Sequence, residues 1–191
     1  MQPGLVIVAL WVGFAISWFA AAAWRSQPEK RIATHAVIVY RLLLLLGGIL
    51  LAIPAHNNFG PLRLWYPTWS EAWLSIALMA LGFAFCWWAR LHLGALWSGE
   101  ITKKPDHHVV DTGPYGLVRH PIYSGILLAV YATVAVKGII PALLAAPIIT
   151  LGLWLKARLE EGWLRQELTP DAYDSYRRRV PMLLPFMPRF G

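Results

Sequence analysis

The sequence is poor in charged residues and almost without cysteine. Only 14% of its 191 residues are charged and 58% are hydrophobic, whereas a soluble domain carries about 25% charged residues. This deficit argues against a soluble protein and favours one that resides in the lipid bilayer. The single cysteine, Cys86, excludes an internal disulfide, a CxxC redox pair and a zinc site built from several thiolates.

The chain also lacks the common nucleotide-binding motifs of soluble enzymes. It has no GxGxxG after a predicted strand and no GxxxxGK[ST], so neither a Rossmann site nor a P-loop is expected. We predict no metal site, because the neighbours Asp106, His107, His108 and Asp111 show no HExxH spacing and adjacent histidines cannot share one helical face. The net charge of +7 comes from basic residues that flank apolar segments, so we expect no nucleic-acid partner.

Long apolar segments make up much of the chain. The stretch from Gly4 to Trp24 has no charged residue and would span roughly 30 Å as a helix, the thickness of the hydrocarbon core. A cleaved signal peptide is the alternative, but no basic stretch precedes this run and no short apolar region ends in a small-residue cleavage site. Backbone groups in lipid must be hydrogen-bonded within the segment, so each apolar segment is predicted to be helical. Four more follow, at residues 36–54, 72–96, 122–136 and 139–155.

The last two segments are short and are joined only by Lys137-Gly138, which predicts a tight helical hairpin. The first of them would reach roughly 22 Å, which leaves open whether the hairpin crosses fully. Basic residues follow the first, third and fifth segments, so the positive-inside rule predicts an external N-terminus and three cytoplasmic regions.

The predicted fold is therefore an all-α integral membrane domain with about five transmembrane helices. The expected location is a bacterial inner membrane. Its parts over residues 1–191 are three transmembrane helices in 1–97, a cytoplasmic loop in 98–121, the helical hairpin in 122–157 and cytoplasmic C-terminal helices in 158–191.

The stretch GPYGLVRHPIYSG, residues 113–125, directly precedes an apolar run. Pro121 disfavours helical backbone at His120, so the imidazole is presented from non-helical backbone just before a helix begins. Such backbone near the membrane is tolerated where protein buries it or a cavity lies beside it. We therefore favour a binding pocket over a histidine that only marks the interface.

A pair of carboxylates, Glu160 and Glu161, follows the fifth apolar segment, and Lys156 and Arg158 precede it. Charged side chains at a membrane boundary often only reach towards water, and that is the favoured interpretation of Lys156 taken alone. Two acids gain nothing from anionic lipid, so they require a cationic partner or a ligand.

The C-terminal tail predicts one more short helix. Pro170 suits the first helical position, and Pro181 prevents the helix from continuing. Tyr173, Tyr176 and Val180 would share one face of this helix. Its arginines could lie on an anionic membrane surface or serve only as a topology anchor.

Several motifs in this order resemble the isoprenylcysteine carboxyl methyltransferase family, a broad group that includes bacterial phospholipid methyltransferases. The combination is specific and covers roughly the C-terminal half, although RHP alone would be weak. One departure is the turn from Thr169 to Ala172, where the family often has Phe-Gly. The matching motifs are LGALWSGEITKKPDHHVVDTGPYGLVRHPIYSG at 93–125, Glu160-Glu161, Tyr173 with Tyr176, and VPMLLP from Val180.

This resemblance implies an integral membrane methyltransferase that binds S-adenosyl-L-methionine at the cytoplasmic face without a Rossmann domain. Its acceptor would be a lipophilic small molecule or a lipid that enters from the bilayer. Glu161 is expected near the reacting groups, together with a cation that is either Arg158, the family expectation, or Lys156. The implied cofactor residues are Val110, Tyr115, Leu117, Arg119, His120, Pro121, Tyr123, Gly125, Glu160 and Glu161.

Four functions are compatible with these residues. A carboxylate acceptor is favoured, since it needs no general base and requires only a cation to orient it. A phospholipid amine must lose a proton, so phospholipid N-methylation would need a base such as Glu161 or His120. An NAD(P)H-dependent reductase of related fold and a non-catalytic membrane scaffold are the remaining alternatives.

Overall fold

The computed structural model describes residues 2–21, 35–55, 61–94, 109–167 and 170–185. Within these ranges the chain is helical, with only one isolated bridge between Arg63 and Ile139, and the all-α prediction is confirmed. Asp106, His107, His108 and Thr169 lie outside the described residues. The helices are α1 (Pro3–Ala20), α2 (His35–Ala52), α3 (Trp69–Leu93), α4 (Pro114–Leu117), α5 (Pro121–Lys137), α6 (Ile140–Glu167) and α7 (Pro170–Arg179).

Four of these helices, α1, α2, α3 and α6, are long and apolar enough to cross a membrane. The chain is therefore an integral membrane protein. Helix α5 corresponds to the fourth predicted segment and is also apolar, but it has only 17 residues. It reaches about 26 Å, slightly less than the hydrocarbon thickness of about 30 Å, so a fifth complete crossing stays a prediction.

Helix α6 extends well beyond the apolar segment that the sequence predicted to end at residue 155, and it reaches Glu167. Lysine, alanine, arginine, leucine and glutamate in this stretch all favour helix. Leu153, Ala157 and Glu161, spaced four residues apart, are all buried, so one face of α6 stays packed past the membrane boundary. Glu160 and Glu161 consequently stand on the same rigid helix as the membrane span.

Helices α3 and α5 pack closely through glycine. A Cβ atom built on Gly125 would lie 2.4 Å from the backbone oxygen of Gly82 and 2.6 Å from Sγ of Cys86. The Cys86 thiol is buried and donates a hydrogen bond to the Ile122 carbonyl at 3.3 Å. The structure thus places Gly125 against α3, and its family role in cofactor binding stays a prediction.

Helix α1 docks on this pair through aromatic side chains. The rings of Phe14 and Phe83 stack with centroids 4.2 Å apart, and Trp11 meets Phe83 edge-on at 5.0 Å. The indole of Trp11 also donates to the Thr133 hydroxyl at 3.1 Å. A polar contact inside the apolar bundle therefore links α1 to α5.

The turn between α5 and α6 is fixed by contacts to neighbouring segments. Gly138 adopts the left-handed conformation (φ 58°, ψ 29°) that ends α5. The ammonium of Lys137 donates to the carbonyls of Leu51 and Ile53, and the Lys137 carbonyl accepts from Arg63 at 3.2 Å. Lys137 therefore caps the C-terminal end of α2, and the carbonyls there compensate its charge.

We expect Gly125→Ala to destabilise the fold, because the added methyl group would force α3 and α5 apart. Overpacking of this kind costs about 1–3 kcal/mol, and the contacted Gly82 oxygen belongs to a helix backbone. Thermal unfolding in detergent should show a lowered midpoint. Gly48→Ala is the matched control, since a Cβ there meets nothing within 4 Å. An unchanged midpoint for Gly125→Ala would contradict the close packing.

Candidate functional site

The loop before α5 is hydrogen-bonded to the residues that follow α7. His120 precedes Pro121, the first residue of α5, and has non-helical backbone angles (φ −123°, ψ 65°), as the sequence predicted. We call residues 180–183 the C-terminal strap. The backbone N–H groups of Arg119 and His120 donate to strap carbonyls, those of Pro181 at 2.9 Å and Met182 at 3.1 Å. The imidazole is thus presented from a loop whose backbone donors are satisfied by the strap.

Arg119 and Glu161 form a buried ion pair. Nε of Arg119 donates to Oε1 of Glu161 at 2.8 Å, and Nη2 donates to Oε2 at 3.3 Å. Their side chains are only 4% and 3% exposed, so water contributes little to the solvation of either charge. The contact is bidentate, with two roughly parallel N–H···O bonds between the planar guanidinium and the planar carboxylate. It therefore fixes the orientation of both groups.

His120 lies between the two carboxylates of α6. Its Nε2 is 3.1 Å from Oε1 of Glu161, and its Nδ1 is 3.6 Å from Oε2 of Glu160. Burial acts to lower the pKa of His120, but hydrogen bonds and charge from Glu160 and Glu161 outweigh it and raise the pKa above its ordinary value. The two carboxylates thus favour the protonated ring more than burial alone would allow.

The second carboxylate belongs to a group with Tyr123 and Lys156. The Tyr123 hydroxyl donates to Oε1 of Glu160 at 2.6 Å, and its ring stacks on His120 with centroids 5.3 Å apart. Nζ of Lys156 lies 3.8 Å from the same Glu160 oxygen and 5.2 Å from the Tyr123 ring centre. This group joins α5 to α6 at the same end of the bundle.

Helix α7 covers the site from the C-terminal side. Tyr173, Tyr176 and Val180 form the predicted buried face, and the Tyr176 hydroxyl donates to the Tyr115 carbonyl at 2.8 Å. Burial raises the pKa of Tyr173 and Tyr176 well above the ordinary value, so both phenols stay protonated. Nε of Arg177 is 3.6 Å from Oε2 of Glu161, which adds a second cation to that carboxylate.

Six of the predicted site residues meet in one connected cluster. These are Arg119, His120, Tyr123, Lys156, Glu160 and Glu161.

The other predicted residues are placed differently. Tyr115 and Pro121 are buried nearby, Val110 is half-buried, and Leu117 is 49% exposed. Arg158 is exposed on another face of α6, with its guanidinium 5.6 Å from the Trp154 ring. The structure therefore brings Lys156 into the cluster and leaves Arg158 outside it.

Three contributions were missed from the sequence. Arg177 was noted only as a basic residue of the tail, and the strap acts through backbone carbonyls that carry no side-chain signature. His92, at the end of α3, bonds the Thr112 hydroxyl at 2.9 Å and stacks on Tyr115 at 6.3 Å. The sequence feature that could have indicated His92 is its position at the end of a predicted helix, close to the loop that carries the site.

Residues 74–166, from α3 to α6, match the family model of the isoprenylcysteine carboxyl methyltransferase (ICMT) family. The matched region contains both the RHPIY stretch and the carboxylate pair. Over this region the chain is similar to the isoprenylcysteine carboxyl methyltransferase family. The resemblance found in the sequence motifs is confirmed.

The proteins similar to this chain have varied names. A nickel-cobalt-cadmium resistance protein from Alcaligenes xylosoxydans xylosoxydans is 26% identical over 92% of this chain and 76% of its own length. A methanethiol S-methyltransferase from Pseudomonas sp. (strain GM41(2012)) is 36% identical over 47% of this chain and 32% of its own length. A protein-S-isoprenylcysteine O-methyltransferase from Schizosaccharomyces pombe is 30% identical over 52% of this chain and 43% of its own length.

A solved structure shares the fold of this chain. The structure of the eukaryotic intramembrane Ras methyltransferase ICMT aligns with a TM-score of 0.57 over 97% of this chain and 68% of that one, at 20% sequence identity. The similarity supports the helical membrane architecture described above.

We expect an NMR titration of His120 to show a midpoint above the ordinary value of about 6.5. The imidazolium then stabilises the fold below about pH 6.5, and this contribution is lost as the pH rises through the raised pKa. Glu161→Gln should lower the midpoint, because it removes one carboxylate. A midpoint at or below the ordinary value would show that burial outweighs the carboxylates.

Proposed function

We propose that this protein is a membrane methyltransferase that uses S-adenosyl-L-methionine and methylates a lipophilic acceptor, with a carboxylate favoured as the accepting group. The family and the relatives named as methyltransferases support this class of reaction. The observation that carries the proposal is the enclosed cluster of His120, Glu160 and Glu161 at the end of the bundle where α5 begins.

The donors and acceptors in the site fit this cofactor. Ionised carboxylates only accept hydrogen bonds, so Glu160 and Glu161 suit ribose hydroxyls, an ammonium group or the positive charge of a sulfonium. The stacked rings of His92 and Tyr115 offer an aromatic surface that suits a purine base. Residues near the loop would thus hold a nucleoside without a Rossmann domain.

The charges of the cluster favour an anionic acceptor group. Arg119 neutralises Glu161, and Lys156 lies beside Glu160. Arg177 also lies beside Glu161, 3.6 Å from its Oε2. An anionic acceptor group would therefore find cations at this site to bind it.

The side chains of the site would favour methyl transfer mainly by positioning the reacting groups and by supplying charge. Methyl transfer from the sulfonium of the bound cofactor to a carboxylate oxygen turns two opposite charges into two neutral products. A pocket that excludes water favours such a loss of charge, and holding the reacting groups in line supplies much of the rate. No residue has to remove a proton, so His120 can remain protonated.

Lys156 is the cation that we propose for the acceptor carboxylate. Its ammonium is held beside Glu160 and the Tyr123 ring, next to the group that would bind the cofactor. Arg158, the family expectation, lies on an exposed face of the same helix.

We propose the cytoplasmic side of a bacterial inner membrane for the site and the external side for the N-terminus. Lys156, Arg158, Arg165 and the arginines of α7 all lie towards the site end of the bundle, which the positive-inside rule assigns to the cytoplasm. At the opposite end, Lys137 and Arg63 donate to backbone carbonyls.

We expect S-adenosylhomocysteine and S-adenosylmethionine to bind the detergent-purified protein with micromolar affinity in a calorimetric titration. His120→Ala and Glu161→Gln should each weaken binding by at least about tenfold, or about 1.4 kcal/mol, because each removes a group that faces the cofactor.

Two variants serve as controls for this experiment. His35→Ala changes an exposed histidine of α2. Glu71→Gln changes an acid at the opposite end, where glutamine can keep the capping box with Thr68. Absence of heat in well-folded protein would contradict the proposal, and a titration with NADPH would then test the reductase alternative. Unimpaired cellular function of both site variants would favour the scaffold.

We expect Lys156→Met to reduce methyl transfer by about 10- to 1000-fold and to change S-adenosylhomocysteine affinity by less than threefold. Arg158→Met, the matched control, should leave both unchanged. Transfer of labelled methyl groups into organic extract would be measured with a prenylated cysteine, its carboxamide, phosphatidylethanolamine and a long-chain thiol. Turnover of the amine alone would favour the phospholipid reaction. Turnover of the thiol alone would favour a thiolate acceptor.

A further inference from the structure

Arg119 uses its donors almost entirely within the protein. A guanidinium has five N–H groups, and the guanidinium of Arg119 makes four hydrogen bonds to protein oxygens. Two reach the carboxylate of Glu161, and two run from Nη1 to the carbonyls of Arg177 and Val180. The residue is only 6% exposed, so little of its charge is presented to a ligand.

These bonds join three separate parts of the chain. Arg119 belongs to the loop before α5, Glu161 belongs to α6, and the two carbonyls lie at the end of α7 and the start of the C-terminal strap. The last carbonyls of a helix lack partners within it and carry the negative end of its dipole. A guanidinium can donate to these carbonyls and to a carboxylate at the same time. The single ammonium group of lysine cannot reach the carbonyls and the carboxylate together.

The carboxylate that Arg119 holds is the one that also holds His120. Oε1 of Glu161 lies 2.8 Å from Nε of Arg119 and 3.1 Å from Nε2 of His120. The arginine therefore fixes the rotamer of Glu161, and with it the position of the charge that faces the imidazole.

We propose that Arg119 is a positioning residue: it orients Glu161 and fastens the C-terminal strap over the loop, and it does not itself contact the cofactor. This inference rests on the proposed function only in naming Glu161 and His120 as cofactor residues. It assigns Arg119 a different role from the cofactor contact that the family resemblance implied.

The first test is a double-mutant cycle on S-adenosylhomocysteine binding. Arg119→Gln and Glu161→Gln should each weaken binding about tenfold, and the double variant should stay within about twofold of Glu161→Gln alone, because residues that act through one another are not additive. Additive losses, about 100-fold in the double variant, would show a direct ligand contact and overturn the proposal.

The second test needs no cofactor, so it separates this inference from the proposed function. The charged or titratable groups around His120 are Glu160, Glu161 and Lys156 on α6, Tyr123 on α5, Arg177 on α7 and Arg119 itself. In Arg119→Gln the NMR titration midpoint of His120 should fall, because Glu161 is no longer held against the imidazole. An unchanged or raised midpoint would show that Arg119 acts only as a nearby charge and would overturn the proposal.

Two further variants complete the design. Arg179→Met removes an arginine that is paired with Asp111 on the surface at 2.9 Å, and it should change neither the affinity nor the midpoint. Arg119→Lys keeps the charge and tests the role if the glutamine variant does not fold. Positioning predicts weakened S-adenosylhomocysteine binding despite the retained charge. Wild-type affinity and midpoint in this variant would overturn the proposal.

Discussion

The buried ion pair between Arg119 and Glu161 is the interaction on which the site depends. Two charges removed from water are costly unless every donor and lone pair finds a partner. Here the guanidinium is satisfied by a carboxylate and two carbonyls, and the carboxylate is shared with His120. Loss of one partner would leave the other buried and uncompensated, a penalty of about 3–5 kcal/mol. The loop, α6 and the tail therefore hold one another in place.

The backbone just before α5 explains why the tail is needed. Pro121 begins the helix, and His120 before it has non-helical backbone angles (φ −123°, ψ 65°). Arg119 and His120 are buried, and buried N–H groups outside a helix require hydrogen-bond partners from the protein. The strap supplies them, since its carbonyls accept from Arg119 and His120.

The sequence predicted the membrane helices well because lipid allows few alternatives for an apolar run. It predicted less of the site, because the outcome depended on how far α6 continues. Along one continuous helix, Lys156 and Glu160 share a side, while Arg158 shares another side with Trp154. Because the predicted segment ended near residue 155, the sequence did not show which of these side chains lie on the same side of the helix. The role of the strap could not be predicted for another reason. Its carbonyls act as hydrogen-bond acceptors, and every residue has such a carbonyl, so the side-chain pattern does not indicate them.

The arrangement would also allow one chain to hold the proposed polar cofactor beside a lipophilic acceptor. Glu161 and Arg119 face the loop and tail, while Glu160, Tyr123 and Lys156 lie along α5 and α6, the helices that continue into the apolar core. His120 touches both carboxylates and stacks on Tyr123. The ring therefore links the two carboxylates, so a change in one alters the electrostatic environment of the other.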